Sequence, residues 1–355
     1  MDPRNLFPEA FVKAAEEQGA APAAARRLLA AILAGVSPVQ ARSIRQLQIP
    51  HSLCDRVGEL PRLQWRQSVR SPVDGFEKIQ FRTADGLDLE TVVIPLQKPA
   101  AVSVCVSSQV GCVMGCQYCA TARMIRRRSL QSWEIVDQFV QARAWVQAQG
   151  RRVTGVVFMG MGEPFLNYEN VLTAAQILRC PYGGAVAAKA ISISTVGLVP
   201  EIDRYTREGH RFRLVISLGA ATDSKRGELL PLAARTPVAQ VMAAARRYAA
   251  ARRVRVTLAY VCISGFNVGE EDAAALGQLI GETPVRLDLI DVTDPTGRYQ
   301  PPSANELAEF RDALTRHVGQ PVVRRYSGGK EILAACGTLA GSLPTPGVVS
   351  AITPN

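Results

Sequence analysis

Histidines, lysines and long apolar runs are scarce in this chain of 355 residues. It has three histidines, and only six of its 41 basic residues are lysines. No apolar run approaches the ~18 residues that a transmembrane helix needs, which excludes a membrane span. The N-terminus lacks a basic region followed by an apolar stretch, so we expect no secretory signal and predict a cytoplasmic location. A composition that is 47% hydrophobic and 20% charged is typical of a globular protein.

The net charge of +10 is almost entirely an excess of arginine. The planar guanidinium fork suits phosphate recognition, which favours an anionic partner such as RNA. Many alanine runs accompany the arginines, and genome composition alone can produce both. The charge therefore leaves an RNA partner open without establishing it.

The eight cysteines are unevenly distributed. In a reducing compartment, clustered cysteines are more often metal ligands or reactive thiols than structural disulfides. Four of them lie between positions 105 and 119, and the full set is Cys54, Cys105, Cys112, Cys116, Cys119, Cys180, Cys262 and Cys336.

The hydrophobic pattern divides the chain into three parts. Residues 1–98 form an accessory unit with an amphipathic helix at 21–35 and a β-hairpin that turns at Asp85-Gly86. Residues 99–300 alternate short β-branched runs with helical stretches, which predicts parallel βαβ units. Residues 301–355 form a C-terminal extension with one helix, a short strand at 321–325 and a segment that carries Cys336.

The middle part predicts an α/β fold. Its strands are expected at residues 102–106, 153–158, 190–195, 212–217, 254–260 and 285–290, and its helices at 132–149, 168–178, 199–208, 238–252 and 271–280. A closed barrel needs eight such units, so six predict an open, partial (β/α)6 barrel. A doubly wound sheet is the alternative, since periodicity does not separate the two.

The strongest chemical signal is the spacing CxxxCxxC at Cys112, Cys116 and Cys119. A zinc site usually needs four ligands, and the remaining cysteines and histidines are distant in sequence. Three thiolates on one loop favour an iron–sulfur cube whose fourth iron lacks a protein ligand and can chelate a small molecule. A zinc site completed from elsewhere in the chain stays the alternative.

This motif resembles the radical S-adenosylmethionine (SAM) superfamily, as do Tyr118 before the last cysteine and the segment Gly160-Met161-Gly162-Glu163-Pro164. The resemblance implies a [4Fe-4S] cluster that binds the amino-acid end of SAM and cleaves it to a 5′-deoxyadenosyl radical. The glycines are expected to let the backbone approach the amino group of the ligand.

A narrower resemblance is to the RlmN/Cfr family of methylsynthases, which methylate C2 or C8 of an adenosine in RNA. It rests on the segments 105–119, 159–167, 194–195 and 334–339. The resemblance implies that Cys336 accepts a methyl group from one SAM and that a radical from a second SAM activates it. Cys105 then acts as base and resolving thiol, which leaves a disulfide. Two SAM per turnover, an electron donor and a disulfide reductant follow from it.

The same resemblance assigns further site residues. Glu90 matches an acidic residue near the family's site, and the matches to SAM contacts are Gly162, Glu163, Ser194, Ser217, Leu218, Gly219 and Thr293. Cys54, Cys180 and Cys262 are interpreted as packing residues.

Departures from the family pattern leave the substrate open. Residues 217–222 lack the family's His and Asn, Thr293 replaces an Asn, and residues 125–130 carry Arg126, Arg127 and Arg128 in place of a Phe-x-Arg-Asn-Leu-like stretch. One interpretation is an RNA adenosine methylsynthase in which Arg126–Arg128 and the arginines of 246–253 contact phosphates. The second is a paralog that acts on a small nucleoside-like or heteroaromatic metabolite. A third, of a different class, is a non-methylating iron–sulfur or zinc binding module.

Overall fold

The structure is a computed structural model that describes residues 1–341, so residues 342–355 of the predicted C-terminal extension lie outside the described residues. The helices are α1 (Pro8–Glu17), α2 (Pro22–Leu33), α3 (Pro38–Ser43), α4 (His51–Val57), α5 (Ser132–Ala148), α6 (Tyr168–Arg179), α7 (Val199–Glu208), α8 (Asp223–Leu229), α9 (Val238–Arg252), α10 (Glu270–Ile280) and α11 (Ala304–His317). The strands are β1 (Gln64–Arg70), β2 (Glu77–Arg82), β3 (Asp88–Pro95), β4 (Ala101–Val106), β5 (Gln109–Val110), β6 (Arg128–Ser129), β7 (Arg152–Phe158), β8 (Ile191–Thr195), β9 (Arg213–Ser217), β10 (Val256–Cys262), β11 (Val285–Asp291) and β12 (Val322–Arg324).

Ten strands form one sheet in the order β1-β2-β3-β4-β7-β8-β9-β10-β11-β12. From β4 to β12 all neighbours are parallel and follow chain order. A doubly wound sheet would reverse its strand order part way along, so this order excludes that alternative. The predicted open, partial barrel is confirmed, and β12 adds a seventh parallel strand to the six expected.

Burial explains why these segments form strands. All six residues of β4 and all seven of β10 are buried, which is typical of parallel strands covered on both faces. Helices α5, α6, α7, α9 and α10 occupy the crossovers between successive strands, as parallel pairing requires. Within residues 1–341, no helix is long and apolar enough to cross a bilayer.

The predicted N-terminal hairpin is present as β2 and β3, and Gly86 at its turn has a φ of +78°. A third strand, β1, precedes it and had no clear alternating pattern in the sequence. The hairpin also continues the barrel sheet, because β3 pairs antiparallel with β4. The pairing covers an edge of the parallel sheet that would otherwise expose backbone groups. Sheet hydrogen bonds therefore join the predicted accessory unit to the barrel.

Candidate active site at the carboxyl ends of the parallel strands

Two adjoining cavities lie where the parallel strands end. The larger has an empty volume of about 960 Å³ and the smaller about 450 Å³. Loops that follow β4, β7, β8, β9 and β11 line the larger one, since the carboxyl ends of parallel strands meet at one edge. Met159, Arg325 and Cys336 line both cavities and so mark the boundary between them.

The predicted cluster ligands Cys112, Cys116 and Cys119 all line the larger cavity. Their loop, residues 112–119, is held from both sides: the amide of Gln117 donates to the carbonyl of Leu229 at 2.9 Å, and the amide of Ala120 donates to that of Gly337 at 2.7 Å. We refer to residues 112–119 as the cluster loop.

The electrostatics of the cluster loop favour a bound metal cation. Burial raises the pKa of all three thiols, that of Cys112 to about 11, and the Cys112 and Cys119 thiols raise that of Cys116 further. A bound metal offsets this by stabilising the thiolates. Among residues 1–341, no group of three or more His, Cys, Asp or Glu is arranged around one single-ion site. Three thiolates from one loop are the donor set that a [4Fe-4S] cluster with one open iron takes.

Two buried polar atoms in the larger cavity lack a partner within the described part of the chain. They are Thr293 Oγ1 and Asp291 Oδ1. The other carboxylate oxygen of Asp291 accepts from Arg324 at 2.7 Å. An unsatisfied buried polar atom is costly, and a ligand with hydroxyl or amino groups would relieve that cost. The cavity therefore fits SAM, and Asp291 joins the site although its sequence position carried no signal beyond its nearness to Thr293.

The glycines after β7 have a packing reason that the sequence did not show. A Cβ on Gly160 would lie 2.8 Å from Ser107 Oγ. Gly162 has a φ of +101°, and its Cβ would lie 2.6 Å from Gln109 Cβ. Their missing side chains therefore face the segment that leads into the cluster loop, whereas the sequence analysis explained them by a ligand alone.

Glu163 connects two of the loops that build the site. Its carboxylate accepts from the amide of Phe165 at 3.0 Å and from that of Val196 at 2.9 Å, and its own amide donates to Gln109 at 2.9 Å. Burial raises the pKa of Glu163 to about 7 in spite of these bonds. The residue lines the larger cavity and also fixes the end of β8 to the end of β7.

The other predicted cofactor contacts divide into two groups. Ser194 and Ser217 line the larger cavity, and Ser217 is hydrogen-bonded to Tyr118. Leu218 is fully buried and its amide donates to Ala259, so its side chain belongs to the core. Gly219, with a φ of +78°, packs against Leu230. Neither Leu218 nor Gly219 lines either cavity.

The two cysteines assigned to the methyl-transfer chemistry line the same smaller cavity. Cys105 is buried in the middle of the sheet, whereas Cys336 is exposed and its amide donates to Ser327 Oγ at 3.0 Å. Burial and the neighbouring Cys336 raise the pKa of Cys105 to about 12, an effect that the Arg325 guanidinium partly offsets. All eight cysteines are free thiols.

Glu90 lines neither cavity. Its carboxylate is fully buried, forms an ion pair with Lys78 at 3.0 Å and accepts from the amide of Ala340 at 3.0 Å. Beside it, Gln80 donates to the carbonyl of Gly341 at 2.7 Å. Glu90 thus positions the segment that follows Cys336, whereas the sequence analysis expected a catalytic residue near the site.

Sequence reasoning missed Arg325 and Met159. Arg325 Nη1 lies 3.1 Å from Met159 Sδ, between the two cavities. The only local signal for Arg325 was its place at the end of a short strand. Its partner lies 166 positions away, which no local pattern can indicate.

Comparisons with known proteins show which family the chain is similar to. Residues 106–277 match the model of the radical SAM superfamily. A protein of Anaeromyxobacter sp. named "Probable RNA methyltransferase" is 48% identical over 320 residues, which cover 89% of this chain and 92% of the relative. The same organism has a "Dual-specificity RNA methyltransferase RlmN" that is 36% identical over 335 residues, with 88% and 87% covered.

A solved structure agrees over the whole fold. The crystal structure of a radical SAM methyltransferase from Sphaerobacter thermophilus superposes with a TM-score of 0.84 at 34% identity, covering 96% of this chain and 100% of that one. The alignments with the two relatives and with the solved structure cover 89%, 88% and 96% of this chain, well beyond residues 106–277. The chain therefore belongs to the radical SAM superfamily and, within it, to the RlmN-type methyltransferases.

Proposed function

We propose that the protein methylates an sp2 carbon, C2 or C8, of an adenosine in RNA through an S-methylcysteine at Cys336. The observation that carries this proposal is the shared cavity of Cys105 and Cys336, which adjoins the larger cavity lined by the three cluster cysteines. A thiol that must receive a methyl group, react with a substrate and then meet a second thiol needs access to both spaces.

The bound cluster and SAM supply the methyl group and the 5′-deoxyadenosyl radical. Cys336 takes the methyl group by displacement, so its thiolate is the nucleophile. Its exposed position between the cavities lets the activated methyl carbon reach the substrate carbon. The radical adduct gives up one electron, which the bound cluster would accept, and Cys105 removes the proton from the substrate carbon. The Cys105 sulfur then attacks the Cys336 sulfur, so that the S–S bond forms as the bond from the Cys336 sulfur to the transferred carbon breaks. That carbon takes up a proton to become the methyl group, and the product leaves. Each turnover uses two SAM, and an electron donor and a disulfide reductant complete it.

RNA is favoured as substrate by the names of the relatives and by the charge of +10. Of the three arginines after the cluster loop, Arg127 donates to the carbonyls of Met124 and Ala122, and Arg128 pairs with Asp85 and Glu134. Arg126 is exposed and its side chain has no partner among the described residues. All of its guanidinium donors are therefore available for a phosphate.

The arginines of helix α9 do not face the site. Arg246 and Arg253 share a surface groove with Pro284, which precedes β11. This groove lies at the amino ends of the strands, opposite the two cavities. Arg246 also donates to Thr283, and Arg247 pairs with Asp203. The RNA-binding role expected for residues 246–253 therefore has no support at the site.

A covalent adduct tests the proposal. The variant Cys105→Ala is expected to accumulate protein joined to RNA through Cys336, since the base and resolving thiol is absent. Nuclease digestion and mass spectrometry of the adduct would identify the nucleotide. The matched control Cys105→Ala/Cys336→Ala should form none.

Other outcomes decide between the alternatives. A small adduct in place of RNA would support the paralog that acts on a nucleoside-like metabolite. Normal methylation by Cys336→Ala would overturn the two-cysteine mechanism, since the methyl group would then reach the substrate without an S-methylcysteine at this position.

A further inference from the structure

The smaller cavity has an aromatic wall that the proposed chemistry does not use. Phe76 and Tyr326 line it together with Cys105 and Cys336. Their ring centroids are 6.0 Å apart and the ring planes meet at 71°, an edge-to-face pair. Tyr326 is nevertheless 66% exposed, and Val73 in the adjoining turn is 76% exposed. An exposed aromatic ring beside a reactive cavity is a surface that a ligand could cover.

Hydrogen bonds fix this ring pair in place. Asp74 Oδ2 accepts from the Tyr326 hydroxyl at 2.9 Å and from the amide of Gly329 at 2.8 Å, and Asp74 Oδ1 accepts from the amide of Phe76 at 3.2 Å. One carboxylate thus holds the turn between β1 and β2 against the segment that leads to Cys336.

Gly328 packs directly against all three of these residues. A Cβ at this position would overlap Asp74, Phe76 and Tyr326. The pair is therefore held before any ligand arrives, which reduces the entropy lost on binding. We call Phe76, Tyr326 and Asp74 the aromatic rim.

We propose that the aromatic rim receives the base of the acceptor nucleotide, stacked on the exposed ring of Tyr326 with its reacting edge toward Cys105 and Cys336. This inference rests on the proposed RNA function and deepens it. The other walls of the cavity include Val92, Ile94 and Leu339, which suit the apolar faces of a base.

The chemistry of the occupant follows from these walls. An enzyme that acts on a base carbon must take that base out of its stack, and an aromatic platform replaces the lost stacking. Arg325 at the inner end adds a cation, which favours an electron-rich heterocycle attached to an anionic backbone.

Ring removal tests the proposal. Tyr326→Leu should raise the Kd for substrate RNA about 10- to 100-fold, because base–aromatic stacking is lost. Tyr326→Phe keeps the ring and should stay within about 3-fold of the wild type. Gly328→Ala should resemble Tyr326→Leu, because the added Cβ displaces the ring. The iron content and the circular dichroism spectrum of each variant should match those of the wild type, which shows that the protein is folded and carries its cluster.

A double-mutant cycle that combines Tyr326→Leu with an altered RNA tests whether Tyr326 contacts the target base. The target nucleotide is first identified from the Cys105→Ala adduct and then replaced by an abasic one. The wild type should lose about as much affinity for the abasic RNA as Tyr326→Leu loses for intact RNA, and the two losses should not add. If they add in full, Tyr326 contacts another nucleotide and the proposal is overturned.

The two proposals fail in different ways. No RNA adduct in Cys105→Ala would contradict the RNA function. A normal adduct in Cys105→Ala/Tyr326→Leu, with unchanged RNA affinity, would leave the function intact and contradict the aromatic rim alone.

Discussion

The cluster loop and the segment that carries Cys336 place reactive cysteines at the same cavity, but one is built from neighbouring residues and the other is held by distant ones. The cluster loop contains its three cysteines within eight residues. The second region, residues 325–341, which we call the acceptor segment, is held by distant parts of the chain. Thr121 donates to the carbonyl of Leu339 at 2.5 Å, Glu90 accepts from Ala340, and Gln80 donates to Gly341. These contacts span 218 to 261 positions of sequence.

This difference predicts how substitutions in the cluster loop and in the acceptor segment should affect the protein. We expect each cysteine of the cluster loop to be indispensable, because a short motif has no second thiol to take its place. A segment held by several distant contacts loses its position by degrees. Its contacts also depend on the antiparallel strands, so the N-terminal hairpin serves the placement of Cys336. The following predictions test this contrast in order of expected size.

Loss of one cluster ligand should abolish the radical chemistry. We expect Cys116→Ser to lose iron and sulfide and to produce no 5′-deoxyadenosine from SAM, since the cluster would keep two cysteines. The control is Cys180→Ser, which changes a buried cysteine outside both cavities. Retention of a complete cluster in Cys116→Ser would mean that the third ligand is another residue.

The two working thiols should differ strongly in reactivity. With Cys105 at a pKa of about 12, its thiolate fraction at about pH 8 is on the order of 10⁻⁴, and it should rise about tenfold per pH unit up to that pKa. Iodoacetamide should therefore modify unmethylated Cys336 and spare Cys105, as read by peptide mass spectrometry. Arg325→Gln should slow Cys105 further, because removal of the cation raises its pKa. Faster labelling of Cys105 than of Cys336 would contradict both assignments.

The acceptor segment should depend on the buried Lys78–Glu90 pair. Lys78→Met leaves the Glu90 carboxylate buried without its countercharge and should lower the free energy of unfolding by about 3–5 kcal/mol. Urea titration measures this. The exposed pair Arg42–Asp55 is the control, and Arg42→Gln should cost about 1 kcal/mol or less. Equal losses in the two variants would show that the buried pair has no special weight.

The unsatisfied atoms of the larger cavity should contribute to SAM affinity. Asp291→Asn and Thr293→Val should each raise the Kd for SAM about 5- to 10-fold, because the first removes a charged acceptor and the second removes the hydroxyl. Equilibrium binding without reductant measures this apart from turnover. Asp288→Asn is the matched control, since Asp288 lies on the same strand and pairs with Arg286 but lines neither cavity. Unchanged affinity in the first two variants would assign those atoms to another ligand.

The smallest effect is expected at the loop that follows the cluster. Arg126→Gln should weaken RNA binding about 2- to 5-fold and reduce the salt slope by about one, as the loss of one phosphate contact does. Arg247→Gln, which only breaks a pair with Asp203, should leave both unchanged. Weaker RNA binding in Arg247→Gln and unchanged binding in Arg126→Gln would instead place the RNA contact on helix α9.

Much of the barrel was predictable because its signals are local. The predicted helix at 168–178 is observed as Tyr168–Arg179, and the one at 199–208 as Val199–Glu208. Strand β1 was missed because its own sequence has no clear alternating pattern and its extended conformation depends on pairing with β2. Asp291, Arg325 and Tyr326 were missed for a different reason: their importance is a relation to residues that are far away in sequence.

Cysteine spacing and strand–helix alternation were enough to predict the cluster loop and the parallel sheet, and the motifs shared with a known family predicted the roles of Cys105 and Cys336. Cysteine spacing is a short-range property and strand–helix alternation is a periodic one, so both can be seen in the sequence before the chain folds. The packing of distant segments assigned the rest: Glu90 to the support of residue 340, the glycines after β7 to the segment that leads into the cluster loop, and Phe76 and Tyr326 to one cavity with Cys105. Such contacts form when sheet and loops come together, because burial and unsatisfied polar atoms are properties of neighbours in space.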